Sequence, residues 1–122
     1  MNHAENLEEI ACLLASYAVR FGSEDQMQAD IQAALAYTDH YVEREKILPT
    51  GRIDFYLPDW KLGIECKVQG GRMDIVRQLL RYASDEAIDA LLLVSSKSNH
   101  DPRRALLLDV PLRFLWVAEG QL

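Results

Sequence analysis

Gly51-Arg52-Ile53-Asp54-Phe55-Tyr56-Leu57, then Pro58-Asp59, then Lys61-Leu62-Gly63-Ile64-Glu65-Cys66-Lys67-Val68, reads as two strands joined by a turn. Both segments alternate, and side chains two apart on a strand share a face. In Arg52–Leu57 the alternation sends Ile53, Phe55 and Leu57 one way and Arg52, Asp54 and Tyr56 the other. In Lys61–Val68 it sends Leu62, Ile64, Cys66 and Val68 to one face and Glu65 and Lys67 to the other. Upstream, Tyr41–Leu48 is expected to be a strand that turns back through Pro49-Thr50-Gly51. Downstream, Gly70-Gly71 breaks the chain, and a helix is expected from Met73 to Ser84 with Ile75, Val76, Leu79, Leu80 and Ala83 buried. Ala90–Val94 is a continuous apolar run, the pattern of a central strand covered on both faces. Asp101-Pro102 opens a short helix that Pro111 ends, and Leu112–Val117 is the last strand.

Before the hairpin stand two helices. Leu7, Ile10, Leu14, Tyr17 and Phe21 recur at helical spacing over residues 5–21, with Asn6 and Glu9 as a capping pair. Ser23 with Gln26 opens a second helix, whose stripe is Met27, Ile31, Ala34 and Leu35 and which ends near Thr38. The order α-α-β-β-β-α-β-α-β indicates an α/β chain with a mixed sheet flanked by helices. The helix between the third and fourth strands requires their parallel pairing by a right-handed crossover. The chain of 122 residues is expected to form a single domain.

With 49% apolar residues the chain can build a core without staples. It has no run of apolar residues long enough for a membrane span, and the polar, acidic segment Met1–Glu9 does not read as a signal peptide. Cys12 and Cys66 have no metal-type spacing and both lie among apolar neighbours, so they are expected to be reduced core residues of a cytoplasmic protein. The net charge of −6 argues against a general nucleic-acid coat protein. The excess is local, however: residues 1–50 hold nine acids and three bases, whereas residues 51–104 hold eight acids and nine bases. The acidity thus belongs to the first part of the chain, and the charge alone does not exclude weak, salt-sensitive binding of nucleic acid.

Asp54, Glu65 and Lys67 carry the chemistry. Glu65 and Lys67 share a face, and the turn sets Asp54 on the adjacent strand. Two carboxylates and an amine in segments otherwise fit for burial cost desolvation unless they are paired or bind a metal. Oxygen ligands at this density suit a hard cation such as Mg²⁺. Such an ion polarises phosphoryl oxygens, so the group suits phosphodiester hydrolysis.

Asp54, ten intervening residues, Glu65, Cys66 and Lys67 resemble the signature of the PD-(D/E)xK nuclease superfamily. The proline that names that signature is absent, and Ile53 stands in its place. Gln78-Leu79-Leu80-Arg81-Tyr82 is similar to the Q-x-x-x-Y element of the exonuclease and resolvase-like branches. The resemblance implies a restriction-endonuclease-like αβββαβ core over residues 23–95. Residues 1–21 would then be an added N-terminal helix, and residues 96–122 a C-terminal helix and strand. It further implies a Mg²⁺- or Mn²⁺-dependent enzyme cleaving phosphodiester bonds in nucleic acid, expected to be DNA, in a phage or repair-type setting. Asp54 and Glu65 would hold the metal with the backbone carbonyl of Cys66, and Glu24 would join them from the first core helix. Asp30 is the rival for that place. Lys67 would assist the attacking water, and Gln78 would position water or substrate.

Each residue also has a plainer reading. Glu65 and Lys67 could be a solvated pair, Glu24 a residue favoured by the helix dipole, and Tyr82 a packing residue. Arg72, Arg77, Arg81 and Tyr82 are candidate nucleic-acid contacts. The three arginines serve equally well as a solvated face paired with Asp74, Asp85 and Glu86. Lys97, Arg103 and Arg104 beside His100 could extend a basic rim. His3, His40 and His100 are scattered and suggest neither a triad nor a zinc site. The helix over residues 5–21 serves either core packing or a dimer contact, homo-oligomers being common among small nucleases of this kind. The alternative function is a catalytically silent nucleic-acid-binding or protein-interaction module on the same fold.

Overall fold

The computed structural model describes residues 2–103 and 108–118. Helix α1 (His3–Tyr17) starts two residues earlier than its apolar spacing suggests. Asn2 is the cap: its side-chain oxygen accepts the Glu5 backbone N–H at 2.9 Å, and its amide donates to Glu5 Oε1 at 3.1 Å. The expected pair Asn6 and Glu9 lies inside the helix instead, with Asn6 buried. Ala18, at φ 60°, ends α1 in the left-handed region, short of the predicted end at Phe21. Ser23 caps α2 (Glu24–Leu35) as its sequence indicates, accepting the Gln26 N–H at 3.0 Å. Gln26 reaches back to the Gly22 N–H at 2.7 Å, which ties the incoming chain to the same turn.

The remaining elements are β1 (Glu43–Leu48), β2 (Gly51–Leu57), β3 (Leu62–Lys67), α3 (Arg72–Ala83), β4 (Ala90–Ser95), a single 3₁₀ turn (Ser98–His100) and β5 (Leu112–Trp116). Among the described residues there are thus three α-helices and one five-stranded sheet in the order β1-β2-β3-β4-β5. The first two pairings are antiparallel hairpins and the last two are parallel, as the helix between β3 and β4 requires. The Pro49-Thr50 turn closes on Gly51, whose φ of 147° and whose closeness to the Tyr82 ring leave no place for a side chain. Of the helix expected between Pro102 and Pro111, residues 104–107, Arg104 among them, lie outside the described residues, and positions 102–103 and 108–110 are not helical. None of the helices is long and apolar enough to cross a membrane among the described residues.

The sheet has a buried layer on each face. On one face, Leu7, Ile10, Ala11 and Leu14 of α1 and Met27, Ile31, Ala34 and Leu35 of α2 pack on Phe55, Leu57, Ile64, Cys66, Leu92, Val94 and Leu115. On the other, Ile75, Leu79 and Tyr82 of α3 pack on Ile53, Tyr56, Leu91, Leu93 and Phe114. β4 feeds both layers, and every one of its residues is buried. The apolar face of α1 is spent inside the molecule against α2, β4 and β5, which is the core-packing reading of that helix. Cys12 is exposed and only Cys66 is buried, because the α1 stripe runs through Leu7, Ile10, Ala11 and Leu14 and leaves position 12 outside it. In α3, Leu80 is exposed rather than buried.

The alternation in β2 is not the strict one its sequence implies. Phe55 and Leu57 join the α1/α2 layer, whereas Ile53 joins Tyr56 in the α3 layer. The strand changes faces at Asp54. β1 changes with it: Arg44 lies over the Phe55 ring and Lys46 over the Tyr56 ring, on opposite faces although two apart. Glu45, at φ 54°, makes the change. Partners on either side keep one register, Arg44 with Phe55 and Lys46 with Ile53, so neither strand carries an extra residue as in a bulge.

Candidate functional site where β2 and β3 part

β2 and β3 pair only from Phe55–Leu57 to Leu62–Ile64. Beyond that point side chains take over the hydrogen bonding. Asp54 Oδ2 accepts the Cys66 backbone N–H at 2.7 Å, and Glu65 Oε1 accepts the Asp54 backbone N–H at 3.3 Å. The face change at Asp54 is what turns its carboxylate toward β3 and α2 and away from solvent. Lys67 Nζ lies 3.5 Å from Glu65 Oε2. Asp54, Glu65 and Lys67 thus meet at the carboxyl end of β3, next to the carboxyl end of β4, where Lys67 is paired with Ser95.

Glu65 is 3% exposed. Burial, first, and the neighbouring Asp54 charge, second, push its carboxyl up to about 8, while Lys67 pulls the other way. The Cys66 thiol is pushed up by burial and by the surrounding carboxylates, so it is an inert core thiol whose residue contributes backbone atoms here. Glu24, in the first turn of α2, faces the same group. Burial raises its carboxyl, Lys67 opposes that, the Asp54 charge adds to it, and the Val68 backbone N–H lowers it. The rival Asp30 is engaged elsewhere. The backbone N, Nε and Nη2 of Arg20 donate to it at 2.8, 2.9 and 3.0 Å, and these bonds hold its carboxyl below the usual range. Among the described residues no three His, Cys, Asp or Glu side chains stand ready as a metal-ligating group. Mg²⁺ needs only one or two carboxylates, and the donors gathered here are all oxygen.

Gln78 and Tyr82 lie one turn apart on α3, as their spacing requires. Gln78 Nε2 donates to Tyr82 Oη at 3.0 Å, and Tyr82 Oη donates to the Arg52 carbonyl at 2.5 Å. Tyr82 is 1% exposed, which removes it from the candidate nucleic-acid contacts: a covered ring cannot stack on a base. Its role is to pin the start of β2 to α3. Arg72, Arg77 and Arg81 are exposed, and Arg77 is held by Asp74 at 2.9 Å. Lys97 and Arg103 are exposed too, Arg103 gripping Asp101 at 2.6 Å.

Two features escape the sequence reading. Gln28, buried in α2 one turn after Glu24, donates from Nε2 to Asp54 Oδ1 at 3.3 Å, and its only signal is a polar residue between Met27 and Ile31 in an apolar stripe. His100 is buried between Ser95 Oγ, 2.6 Å from Nδ1, and the Gly70 carbonyl, 2.9 Å from Nε2. Since a carbonyl only accepts, Nε2 carries a hydrogen. The histidine therefore fastens the loop between β3 and α3 to the end of β4, and both Ser95 and His100 are too buried to meet a substrate.

No family model matches this chain, and neither a curated protein nor a solved structure matches it.

Proposed function

We propose that the chain is a metal-dependent nuclease of the PD-(D/E)xK kind, hydrolysing phosphodiester bonds in nucleic acid, with DNA the expected substrate. The observation that carries this reading is the meeting of Asp54, Glu65 and Lys67 where β2 and β3 part, with Glu24 facing them from α2. The element order from α2 to β4, helix, three strands, helix, strand, agrees with the αβββαβ core of that superfamily. The location also agrees with the rule that open α/β sheets bind ligands beyond the carboxyl ends of their parallel strands.

The residues fit a hard divalent cation. Asp54 and Glu65 meet beside one lysine, Glu24 lies within reach of their charges, and burial with the Asp54 charge raises the Glu65 carboxyl to about 8. Asp54, Glu65, the Cys66 carbonyl and Glu24 would hold Mg²⁺ or Mn²⁺. When bound, such an ion supplies polarisation of a phosphoryl oxygen and a lower pKa for water.

The chain's own residues do the rest. Lys67 would orient the attacking water and offset the negative charge that develops on the phosphoryl oxygens. The Cys66 N–H fixes one Asp54 oxygen. Tyr82, with Gln78 against its hydroxyl, fixes Arg52 and hence the start of the strand that carries Asp54. Gln78 would position water or substrate from the α3 side. Arg72, Arg77 and Arg81 are the exposed cations of that side. A surface pair such as Arg77–Asp74 is worth only about 0–1 kcal/mol, so a phosphate can displace its acid.

The test is cleavage of single-stranded, duplex and branched DNA by the purified chain with Mg²⁺ or Mn²⁺. Wild type is expected to cleave at least one of these, and Asp54→Ala and Lys67→Ala to lose at least about a hundredfold, the scale of removing one stabilising group. Wild type inactive on all three, or alanine variants as active as wild type, overturns the reading. Binding without cleavage would favour a silent nucleic-acid-binding module.

A further inference from the structure

The candidate acids and the lysine explain what could act on a substrate, but not why Asp54 keeps one orientation. One of its oxygens, Oδ2, is fixed by the Cys66 N–H. The other, Oδ1, receives Gln28 Nε2 at 3.3 Å. Gln28 is in turn held at its far end, where Arg44 Nη2 donates to Gln28 Oε1 at 3.0 Å. Arg44 is anchored a second time by its Nη1, which donates to Gln32 Oε1, and its guanidinium lies over the Phe55 ring, 5.6 Å from the centroid. The residues of this relay come from two elements. Gln28 and Gln32 are one turn apart on α2, and Arg44 is on β1 immediately before Glu45, where the strands change faces.

The chemistry of the relay permits one arrangement. A guanidinium has only donors, and an ionised carboxylate has only acceptors. An amide is a neutral side chain that both donates and accepts, so Gln28 turns its oxygen to Arg44 and its nitrogen to Asp54. The amide orientation follows from the partners rather than from a choice between look-alike atoms. The span also needs the length of glutamine, since it must reach Asp54 from the backbone of α2 while leaving an oxygen for Arg44.

We propose that Gln28, oriented by Arg44, is a positioning residue that fixes the Asp54 carboxylate for its work at the site. Arg44 acts on Asp54 only through Gln28. The inference rests on the nuclease reading for its metal-affinity and kinetic arms, whereas the orientation of Asp54 can be followed without metal or substrate. Partners of this kind, one step removed from ligating or reacting groups, typically contribute about 10–100-fold in metal affinity or activity.

The test uses Gln28→Met, which keeps length and packing but neither hydrogen bond, Arg44→Met, and the two together. The first readout is amide hydrogen exchange of the metal-free chain at Cys66, whose N–H is capped by Asp54. In Gln28→Met this amide is expected to exchange about tenfold faster, with the β4 amides unchanged, the factor corresponding to about 1.4 kcal/mol. The second is Mn²⁺ affinity by calorimetry, expected to weaken about tenfold. The third is kinetic: kcat falls about tenfold with KM little changed, and the double variant is no slower than Gln28→Met alone, since the two residues act in series.

A Gln28→Met chain with wild-type exchange at Cys66 overturns the proposal, whether or not the protein cleaves DNA. So does a double variant whose losses multiply. A purely packing role would lower the melting temperature and spare kcat. An inactive wild type that still shows the Cys66 effect would sink the nuclease reading and leave the positioning role standing.

Discussion

β2 and β3 form one hairpin with two unlike ends. Near the turn, Phe55–Leu57 and Leu62–Ile64 pair backbone to backbone and bury apolar side chains on both faces. At the other end, the same two strands exchange carboxylate–backbone bonds between Asp54, Glu65 and Cys66. The closed end is satisfied by the polypeptide alone. The open end is satisfied only because acids stand in for carbonyls, and that substitution is how ionisable groups come to be buried in the middle of a sheet. The difference teaches that the site and the fold share atoms at the open end and are separable at the closed one.

Four measurements probe that contrast. The largest effect is expected from Asp54→Ala set against Asp54→Asn. Both should lose at least about a hundredfold in cleavage. Only the alanine should also lose stability, by about 1–3 kcal/mol in chemical denaturation, because it leaves the buried Cys66 N–H without an acceptor. Equal stabilities would mean that Asp54 is dispensable to the sheet.

The next concerns pH. The Glu65 carboxyl is raised from 4.5 to about 8 in the folded chain, chiefly by burial, so between these values the folded state holds a proton that the unfolded state has released. Stability is therefore fully present below about pH 4.5 and declines as the pH rises toward about 8, by a few kcal/mol on the order of 1.4 kcal/mol per unit. Glu65→Gln, which mimics the protonated form, should flatten that decline. Mg²⁺ at about a hundred times its Kd should restore about 2.7 kcal/mol to wild type at alkaline pH and nothing to Glu65→Gln. A wild-type profile as flat as that of the variant would show that Glu65 is not held protonated.

At the closed end, Gly63→Ala pushes a methyl into Ile53 Cδ1 and to 3.2 Å from Ile88 Cδ1. It should cost about 1–3 kcal/mol in overpacking and leave the kcat of the folded fraction unchanged. A kcat change there would mean that the two ends are mechanically coupled. The smallest effect is expected from Tyr82→Phe, which removes the hydroxyl between Gln78 and the Arg52 carbonyl. About 1 kcal/mol of stability should go, and melting temperatures measured with and without Mg²⁺ would tell whether the loss reaches the site.

The sequence made some of this legible and hid the rest for physical reasons. The five strands, their helical crossover and the buried run Ala90–Val94 follow from periodicity, which is a local property. The grouping of Asp54, Glu65 and Lys67 also follows, because spacing across a hairpin fixes neighbours. The change of faces at Asp54 is not legible. Ile53 and Phe55 are both apolar, so either side suits either residue, and the change depends on Glu45 in the paired strand adopting a positive φ. Asp30 could not be told from Glu24 without knowing that Arg20, beyond the end of α1, folds back to claim it. The cap of α1 was misplaced because Asn2-x-x-Glu5 and Asn6-x-x-Glu9 spell the same signal one turn apart. The packing of α1 on β5 is not legible either, because a helix leaves no local trace of a partner distant in sequence.

That packing has a consequence in time. Arg113 Nε on β5 bonds Glu8 Oε2 on α1 at 2.9 Å across a separation of 105 positions, and Leu115 lies in the same apolar layer as Ile10 and Leu14. In synthesis α1 thus precedes β5, the strand on which it packs, and waits for it. Until β5 emerges, α1 lacks part of its cover, and α2 and the β1–β3 hairpins offer it only part of a seat. Contacts this distant in sequence slow folding, and uncovered apolar surface during synthesis invites chaperones and aggregation. The final closure of the sheet is therefore a late event in the life of each chain, and α1 is the segment whose exposure would report that it has not yet happened.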